Sequence, residues 1–184
     1  QARVKLLEAE PYNLSNVLRY ALYPFDLRWC YHTNVRPTWN EPRPALKNQL
    51  RDDNFFIVTR MFAERPNEGS IIISTKHLPD YHLLRPNAVA IPAFIRSENQ
   101  KSKDNGQEAL FEAVQPTSSV KANLSEMARG YLANLGLPNP DQDKGTAELL
   151  WLHALAVGYS PAYLSEHADG IRSDWPRIPL PKTK

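Results

Sequence analysis

The sequence predicts an α+β fold, with a mixed or antiparallel sheet in the first half of the chain and a helical second half packed on it. Residues 1–96 contain short runs of aromatic and aliphatic residues separated by prolines, a pattern that is typical of strands. After residue 106 the apolar residues recur with a helical period instead. Because the strands precede the helices and do not alternate with them, a doubly wound α/β fold is disfavoured.

Five runs in the first half indicate strands, and they are residues 17–23, 27–33, 55–62, 71–75 and 89–95. Pro24 lies between the first two runs, where it does not interrupt a central strand. Polar residues at 64–69 are typical of a hairpin loop that joins the third run to the fourth. The proline-rich residues 36–44 are predicted to be extended, before a short helix at 45–51.

The second half is predicted to be helical after a mobile surface loop at residues 97–106, which have no apolar side chain. The predicted helices are capped by Asn123, Thr146 and Ser160, and the first two end at Gly136 and Gly158. We expect the 184 residues to form one domain, with 1–96 as its strand-rich part and 107–184 as its helical part. Since it has no initiating methionine, we expect it to be a fragment of a larger enzyme.

Charge is distributed unevenly along the chain. The net charge is only +2, but residues 1–96 carry 10 Arg and 3 Lys against 9 acids, whereas residues 97–184 have a net charge of −2. Arginine presents a forked set of donors that suits phosphates and guanine edges, so its enrichment favours a nucleic-acid partner over a membrane. A solvated surface of salt bridges is the alternative interpretation.

Motifs of several enzyme classes are absent from the sequence. No Gly-x-Gly occurs, so the usual dinucleotide and phosphate loops are missing. No acid stands two residues before a lysine, which removes the acid-x-lysine pair of restriction nucleases, and neither Gly-x-Ser-x-Gly nor His-Glu-x-x-His is present. We therefore expect no catalytic residue, no metal and no cofactor in this chain.

The histidines and the single cysteine give weaker signals. Cys30 and His32 alternate on a predicted strand, but no third ligand follows at a metal-site spacing, so Cys30 is interpreted as a small buried hydrophobe. His153 is interpreted as a satisfied core or partly exposed histidine. The Asp-Tyr-His trio at residues 80–82 is either a proton relay or an ordinary local cluster.

The densest combination of arginine, aromatic and amide side chains lies between Arg28 and Arg65. Such side chains bind base edges, stack on bases and neutralise phosphates. The predicted base-reading residues are Arg36, Asn40, Arg43, Asn48 and Arg51. The predicted phosphate contacts are Arg60, Arg65 and Lys76.

Three residues near the first turn are assigned a structural role. Asp26 and Arg28 are two residues apart on a predicted strand, so their side chains share a face and are expected to pair with each other. Trp29 and Phe25 are then expected in the core.

Several motifs carry a resemblance to a known family. Tyr-Pro-Phe-Asp-Leu-Arg at 23–28 and the proline-rich stretch at 36–44 come first, followed by segments at 54–60, 78–92 and 159–181. In this order they resemble the C-terminal target-recognition region of type ISP restriction-modification enzymes and related adenine-N6 DNA methyltransferases. The resemblance covers nearly the whole chain.

The resemblance implies a specificity domain that reads double-stranded DNA within a cytoplasmic polypeptide that also has nuclease, helicase-type ATPase and methyltransferase modules. It implies S-adenosylmethionine, ATP and Mg²⁺ as cofactors of those modules, and a monomeric fragment. The Asn-Pro-Pro-Tyr motif of the methyltransferase is absent here. The alternative is a module that docks on the methyltransferase core without reading DNA, which the small net charge favours.

Overall fold

The computed structural model describes residues 1–39, 42–65, 68–85, 87–97 and 119–183. Within these ranges the strands lie mostly in the first half of the chain and the longer helices in the second, which confirms the predicted α+β class. The predicted loop at 97–106 lies, after its first residue, outside the described residues. No helix in the described part of the chain is long and apolar enough to cross a membrane.

The secondary structure consists of short strands and helices. The strands are β1 (Val17–Tyr23), β2 (Asp26–Tyr31), β3 (Phe56–Thr59), β4 (Ile72–Thr75), β5 (Leu78–Pro79), β6 (Val89–Pro92), β7 (Phe94–Ser97) and β8 (Ser119–Ala122). The helices are α1 (Ala2–Ala9), α2 (Pro44–Lys47), α3 (Glu126–Asn134), α4 (Lys144–Gly158), α5 (Pro161–Glu166) and α6 (Ala168–Ser173).

The described strands form three small sheets. In the first sheet, β1 and β2 form an antiparallel hairpin and β5 runs parallel to β1 on the other side. The second sheet is antiparallel with β3 between β4 and β6, and β3–β4 is the hairpin predicted from the sequence. The third is the antiparallel pair β7–β8.

Strand β3 lies at the centre of the core, because all four of its residues are buried. Ile57 belongs to a hydrophobic cluster with Tyr163 of α5. Phe56 and Val58 belong to a second cluster with Ala21 of β1, as expected from the alternation of side chains along a strand. The second sheet therefore packs between the helices and the first sheet.

Asn54 fixes the third sheet to the start of β3. Its side chain is 2% exposed, and its Nδ2 donates to the carbonyls of Gln49 and Phe94, both at 2.9 Å. Its Oδ1 accepts from the N–H groups of Phe94 at 3.1 Å and Phe55 at 2.9 Å. One buried amide thus satisfies four backbone groups.

The predicted strand at 89–95 is wrong as one continuous strand. It is divided at Ala93, which is fully buried. The N–H of Ala93 donates to the carbonyl of Phe55 at 2.8 Å, and its carbonyl accepts from the N–H of Asn123 at 2.9 Å. The chain changes partner there, from β3 on one side to β8 on the other.

The prediction that residues 36–44 are extended is also wrong. Residues 36–38 form a turn, in which the N–H of Thr38 donates to the carbonyl of Val35 at 3.1 Å. The turn folds Trp39 back onto β2, where its Nε1 donates to the carbonyl of Tyr31 at 2.7 Å. The short helix that follows is confirmed but ends at Lys47.

Two of the three predicted helix caps are corrected. The side chain of Ser125, not Asn123, caps α3, and Asn123 instead donates to the carbonyl of Pro92 at 2.8 Å. Asp143, not Thr146, caps α4, and its Oδ1 accepts from the N–H of Thr146 at 2.7 Å.

The third cap and the two glycine stops agree with the sequence. Ser160 caps α5, with Pro161 in the first turn. Helix α4 ends at Gly158. Gly136 follows the end of α3 with a φ of +71°, the left-handed conformation that terminates many helices and that glycine adopts without strain.

Candidate nucleic-acid interface

The β1–β2 hairpin is an exposed arm at the edge of the first sheet. Strand β2 pairs with β1 on one side and with no other strand of the described residues. The connection is only Pro24–Phe25, with Tyr23 opposite Asp26. Phe25 has a φ of +67°, which is unfavourable for a residue with a large side chain.

The aromatic side chains of this arm are exposed, so their predicted core position is wrong. The side chain of Phe25 is completely exposed and that of Trp29 is 68% exposed. The reason is that this sheet contributes Leu18 and Tyr20 to the core, while β2 lies at its edge. The exposed or half-exposed residues of the arm, called the hairpin surface below, are Arg19, Tyr23, Phe25, Leu27, Arg28 and Trp29.

Two arginines lie on the hairpin surface. The guanidinium of Arg19 lies over the ring of Trp29, 5.2 Å from its centroid, at a distance typical of cation–π contacts. Arg28 pairs with Asp26, Nη2 to Oδ2 at 2.9 Å, as predicted. The hydrogen bond from Arg28 lowers the pKa of Asp26 below its usual value. Both partners are solvent-exposed, so the pair contributes little to stability.

A cleft beside the tip of the arm, called the arginine cleft, is lined by Tyr23, Pro24, Arg60, Arg65, Glu68, Ser70, Ile71, His82, Leu83, Leu84 and Arg85. Arg65 is exposed, and no carboxylate of the described residues forms a salt bridge with it. A free guanidinium at the rim of a cleft is well placed to bind a phosphate.

The other two arginines of the cleft are neutralised within the chain. Arg60 is 5% exposed and pairs with Glu64 at 2.7 Å and Glu68 at 3.6 Å. Arg85 Nε lies 2.7 Å from the same Glu68 carboxylate. Burial and two carboxylates leave Arg60 unsuited to the phosphate contact predicted for it, because a phosphate would have to displace both glutamates.

The predicted base-reading residues separate into two kinds. Arg36 and Asn48 are exposed. Arg43 donates to the carbonyl of Pro79, and Arg51 donates to Asp53, Nε to Oδ1 at 2.8 Å. Asn40 lies outside the described residues. Arg43 ties its loop to β5, the Arg51 pair is local because Asp53 is exposed, and the two exposed side chains are free to contact a ligand.

Lys76 lies apart from the arginines predicted to share its role. Its side chain is exposed and lines a shallow cleft together with Asp52, Asp53 and Glu148. Lys144 lines the same cleft and pairs with Glu148, and Arg51 pairs with Asp53. The phosphate contact of Lys76 stays a prediction.

The Asp-Tyr-His trio does not form a relay. The Tyr81 hydroxyl donates to Asn87, away from its two neighbours in sequence. Asp80 instead accepts from the hydroxyl of Tyr20 and lies 3.0 Å from Nδ1 of His82. Burial raises the pKa of Asp80, but the hydrogen bonds from Tyr20 and His82 outweigh it and lower the pKa overall. The carboxylate of Asp80 thus joins the turn that follows β5 to Tyr20 of β1.

The surroundings of Cys30 and His153 indicate structural roles for both. Cys30 is half-buried beside the Leu18–Tyr20 cluster, and burial raises the pKa of its thiol to about 11, which makes it unreactive. His153 is partly buried, with its Nε2 at 2.7 Å from the carbonyl of Pro179. In the described ranges, no three His, Cys, Asp or Glu side chains cluster in a way that would hold a metal.

Sequence reasoning missed the hairpin surface, including Arg19, and the role of Arg85. One available signal was the Pro24–Phe25 pair. Proline favours the second position of a β-turn, and Phe25 then occupies the third position, where its side chain projects into solvent. The edge position of β2, which exposes Trp29, has no local signature, because it depends on which strands pair.

An exposed surface of aromatic and arginine side chains is typical of a binding module. The chain matches the model of the family described as "Type ISP C-terminal specificity domain" over residues 1–184, and it belongs to that family. No curated protein matches it significantly.

A solved structure shares the fold. The cryo-EM structure of a DrdV–DNA complex aligns with a TM-score of 0.62 and 18% sequence identity. The alignment covers 94% of this chain and 15% of the DrdV chain. The chain therefore spans about one seventh of the length of the solved protein that it matches.

Proposed function

We propose that the chain recognises a specific sequence of duplex DNA as the specificity domain of a larger restriction-modification enzyme. The observation that carries this proposal is the hairpin surface with Arg65 beside its tip, whose guanidinium forms no salt bridge within the described residues. Membership of the specificity-domain family and the fold shared with a DNA-bound protein support it.

The shape of the hairpin suits a DNA groove. A two-stranded β-ribbon fits the major groove, and β2 has six residues, a length of about 20 Å at about 3.3 Å per residue. That length corresponds to about six base pairs at about 3.4 Å per step. Side chains along such an arm can contact several consecutive base pairs.

In this proposal, different residues recognise bases and bind phosphates. Arg36, in the turn that follows β2, is an exposed candidate for base contact, as is Asn48. Arg65 holds a phosphate at the tip of the arm. Arg43 and Arg60 maintain the scaffold, because their guanidiniums are bound to other parts of the chain and Arg60 is buried. Base reading by Arg51, whose pair with Asp53 is local and exposed, stays a prediction.

The finer identity of the parent enzyme is part of the proposal. The parent is an adenine-N6 methyltransferase with nuclease and ATP-dependent translocase modules in the same cytoplasmic polypeptide. Those modules bind S-adenosylmethionine, ATP and Mg²⁺, and this chain carries no catalytic step. The small share of the DrdV chain that aligns supports the presence of other modules.

A docking function is a second candidate for one part of the chain. Helix α1 has eight residues and buries none of them, and Val4 and Leu7 are more than half exposed. A helix of this length is marginal in water without tertiary contacts. We infer that α1 packs on another module, while the hairpin surface meets DNA.

Selection from randomised duplexes with the full-length protein tests the proposed function. We expect one short motif to be enriched, and we expect Arg36→Ala to relax the preference at one position of that motif. Arg177→Ala is the matched control, since this exposed arginine pairs with Asp174 in the helical half. Failure to enrich any motif would contradict sequence-specific recognition.

A further inference from the structure

The tip of the hairpin combines a rigid turn with a fully exposed aromatic ring. Pro24 fixes the first corner of the turn, because its ring restricts φ. Phe25 occupies the second corner with a φ of +67°, where glycine is the usual residue. No other part of the described chain covers its side chain.

Nothing in the described residues accounts for a phenylalanine at this position. A large side chain in the left-handed region is strained, and an exposed ring gains nothing from burial. Residues held in unfavourable conformations tend to occur at functional sites. The ring of Phe25 therefore has its use in a complex.

The surroundings of the tip favour DNA over a protein as the partner. The tip borders the arginine cleft with its free Arg65, and Arg19 and Arg28 lie along the arm. A polyanion would find Arg65 beside the tip and Arg19 further along the arm, whereas a hydrophobic protein surface would have to desolvate them.

We propose that Phe25 is a wedge that inserts between adjacent base pairs and unstacks them when the hairpin surface binds DNA. This inference rests on the proposed function. Apolar side chains of proteins that bind the minor groove open base steps in this way, and here the wedge enters from the major groove, which the hairpin fits. Here Pro24 keeps the ring in position, and Arg65 holds a phosphate of the distorted backbone.

The wedge adds specificity that direct contacts do not supply. Flexible pyrimidine–purine steps open at lower cost than stiff steps, so the enzyme favours sites with a flexible step where the ring enters. This preference is independent of the base contacts made by Arg36.

The test uses the full-length protein and the duplex from the selection, with 2-aminopurine placed at each successive position of one strand. We expect its fluorescence to rise on binding at one step besides the adenine that the methyltransferase module extrudes, and Phe25→Gly to abolish that additional rise and weaken binding about tenfold or more. Phe25→Trp restores both, because a large ring can still insert. Tyr159→Gly, at another exposed aromatic, leaves both unchanged.

Thermal unfolding separates a wedge from a structural role. Glycine suits the left-handed turn, so Phe25→Gly keeps the melting temperature of the wild type or raises it. A clear decrease in the melting temperature with no loss of the fluorescence rise would overturn the inference.

Three further outcomes distinguish failure of the wedge from failure of the proposed function. If the wild type binds its motif but Phe25→Gly binds equally well with the same fluorescence, the wedge is refuted and the proposed function stands. A change in sedimentation of Phe25→Gly with unchanged DNA binding would assign the ring to a protein contact and also refute the wedge. If the wild type enriches no motif, the proposed function itself fails.

Discussion

Arg60 and Arg28 both pair with carboxylates, but they lie in different environments. Arg60 is buried beneath the β3–β4 loop and is held by Glu64 and Glu68. Arg28 lies on the hairpin surface, with 63% of its side chain exposed. The comparison shows that the arginine enrichment of residues 1–96 combines two functions, which are pairing of a buried guanidinium with loop glutamates and exposed charge for a ligand.

The largest effect is expected for the buried member of this comparison. Arg60→Ala should lower the free energy of unfolding by about 3 kcal/mol, since removal of one partner leaves buried Glu68 partly uncompensated. Urea denaturation measures it. Arg28→Ala is the matched control and should leave the denaturation midpoint unchanged. Equal losses for the two variants would contradict the division.

Asn54→Ala should have the next largest effect on stability, about 2 kcal/mol, because it leaves buried backbone groups of Phe94 and Phe55 without partners. Chemical denaturation of Gln49→Ala provides the comparison, since Gln49 bonds the exposed backbone of Arg96. If Asn54→Ala is no more destabilising than Gln49→Ala, the buried amide does not hold the third sheet.

Arg65→Ala tests whether an exposed arginine contributes to DNA binding and not to stability. We expect it to weaken cognate and non-cognate duplexes alike, by about fivefold to tenfold, and to reduce the slope of log affinity against log salt by about one unit. The unfolding midpoint should stay unchanged, because Arg65 is exposed. Fluorescence anisotropy at several salt concentrations measures it, and loss of affinity for the cognate site alone would make Arg65 a base reader.

A smaller effect is expected for pH, through His32, which is 3% exposed. Burial, followed by the nearby charges of Lys47 and Arg43, lowers its pKa below 6.5 in the folded state. The unfolded chain therefore takes up the proton first, so stability present above pH 6.5 decreases as the pH falls from about 7 towards 5. Denaturation of His32→Gln should show a weaker decrease over this range. An identical pH dependence would exclude His32 as its source.

The sequence predicted those parts of the fold that depend on local chemistry. The β1–β2 and β3–β4 hairpins and the cap at Ser160 follow from turn residues and apolar runs. The break at Ala93 was missed because it depends on an exchange of strand partners, which no local pattern records. The cap at Asp143 was missed because Thr146, three residues later, is also a favourable capping residue type.

The candidate site was less predictable for a similar reason. The Asp26–Arg28 pair followed from strand periodicity and is confirmed. The burial of Arg60 was not visible, because it depends on Glu64 and Glu68 folding over the end of β3. The exposure of Trp29 was not visible either, because it depends on β2 being an edge strand. The roles of Arg36 and Asn48 in base reading stay predictions.

Photo-crosslinking compares the two halves of the chain in one experiment. A benzophenone amino acid replaces either Phe25, at the tip of the hairpin, or Tyr159, an exposed residue that follows α4, in the full-length protein bound to its selected duplex. If the strand-rich half meets DNA through the hairpin surface, irradiation joins position 25 to the duplex and leaves position 159 unlinked. Crosslinks from position 159 and none from position 25 would show that DNA lies against the helical half instead.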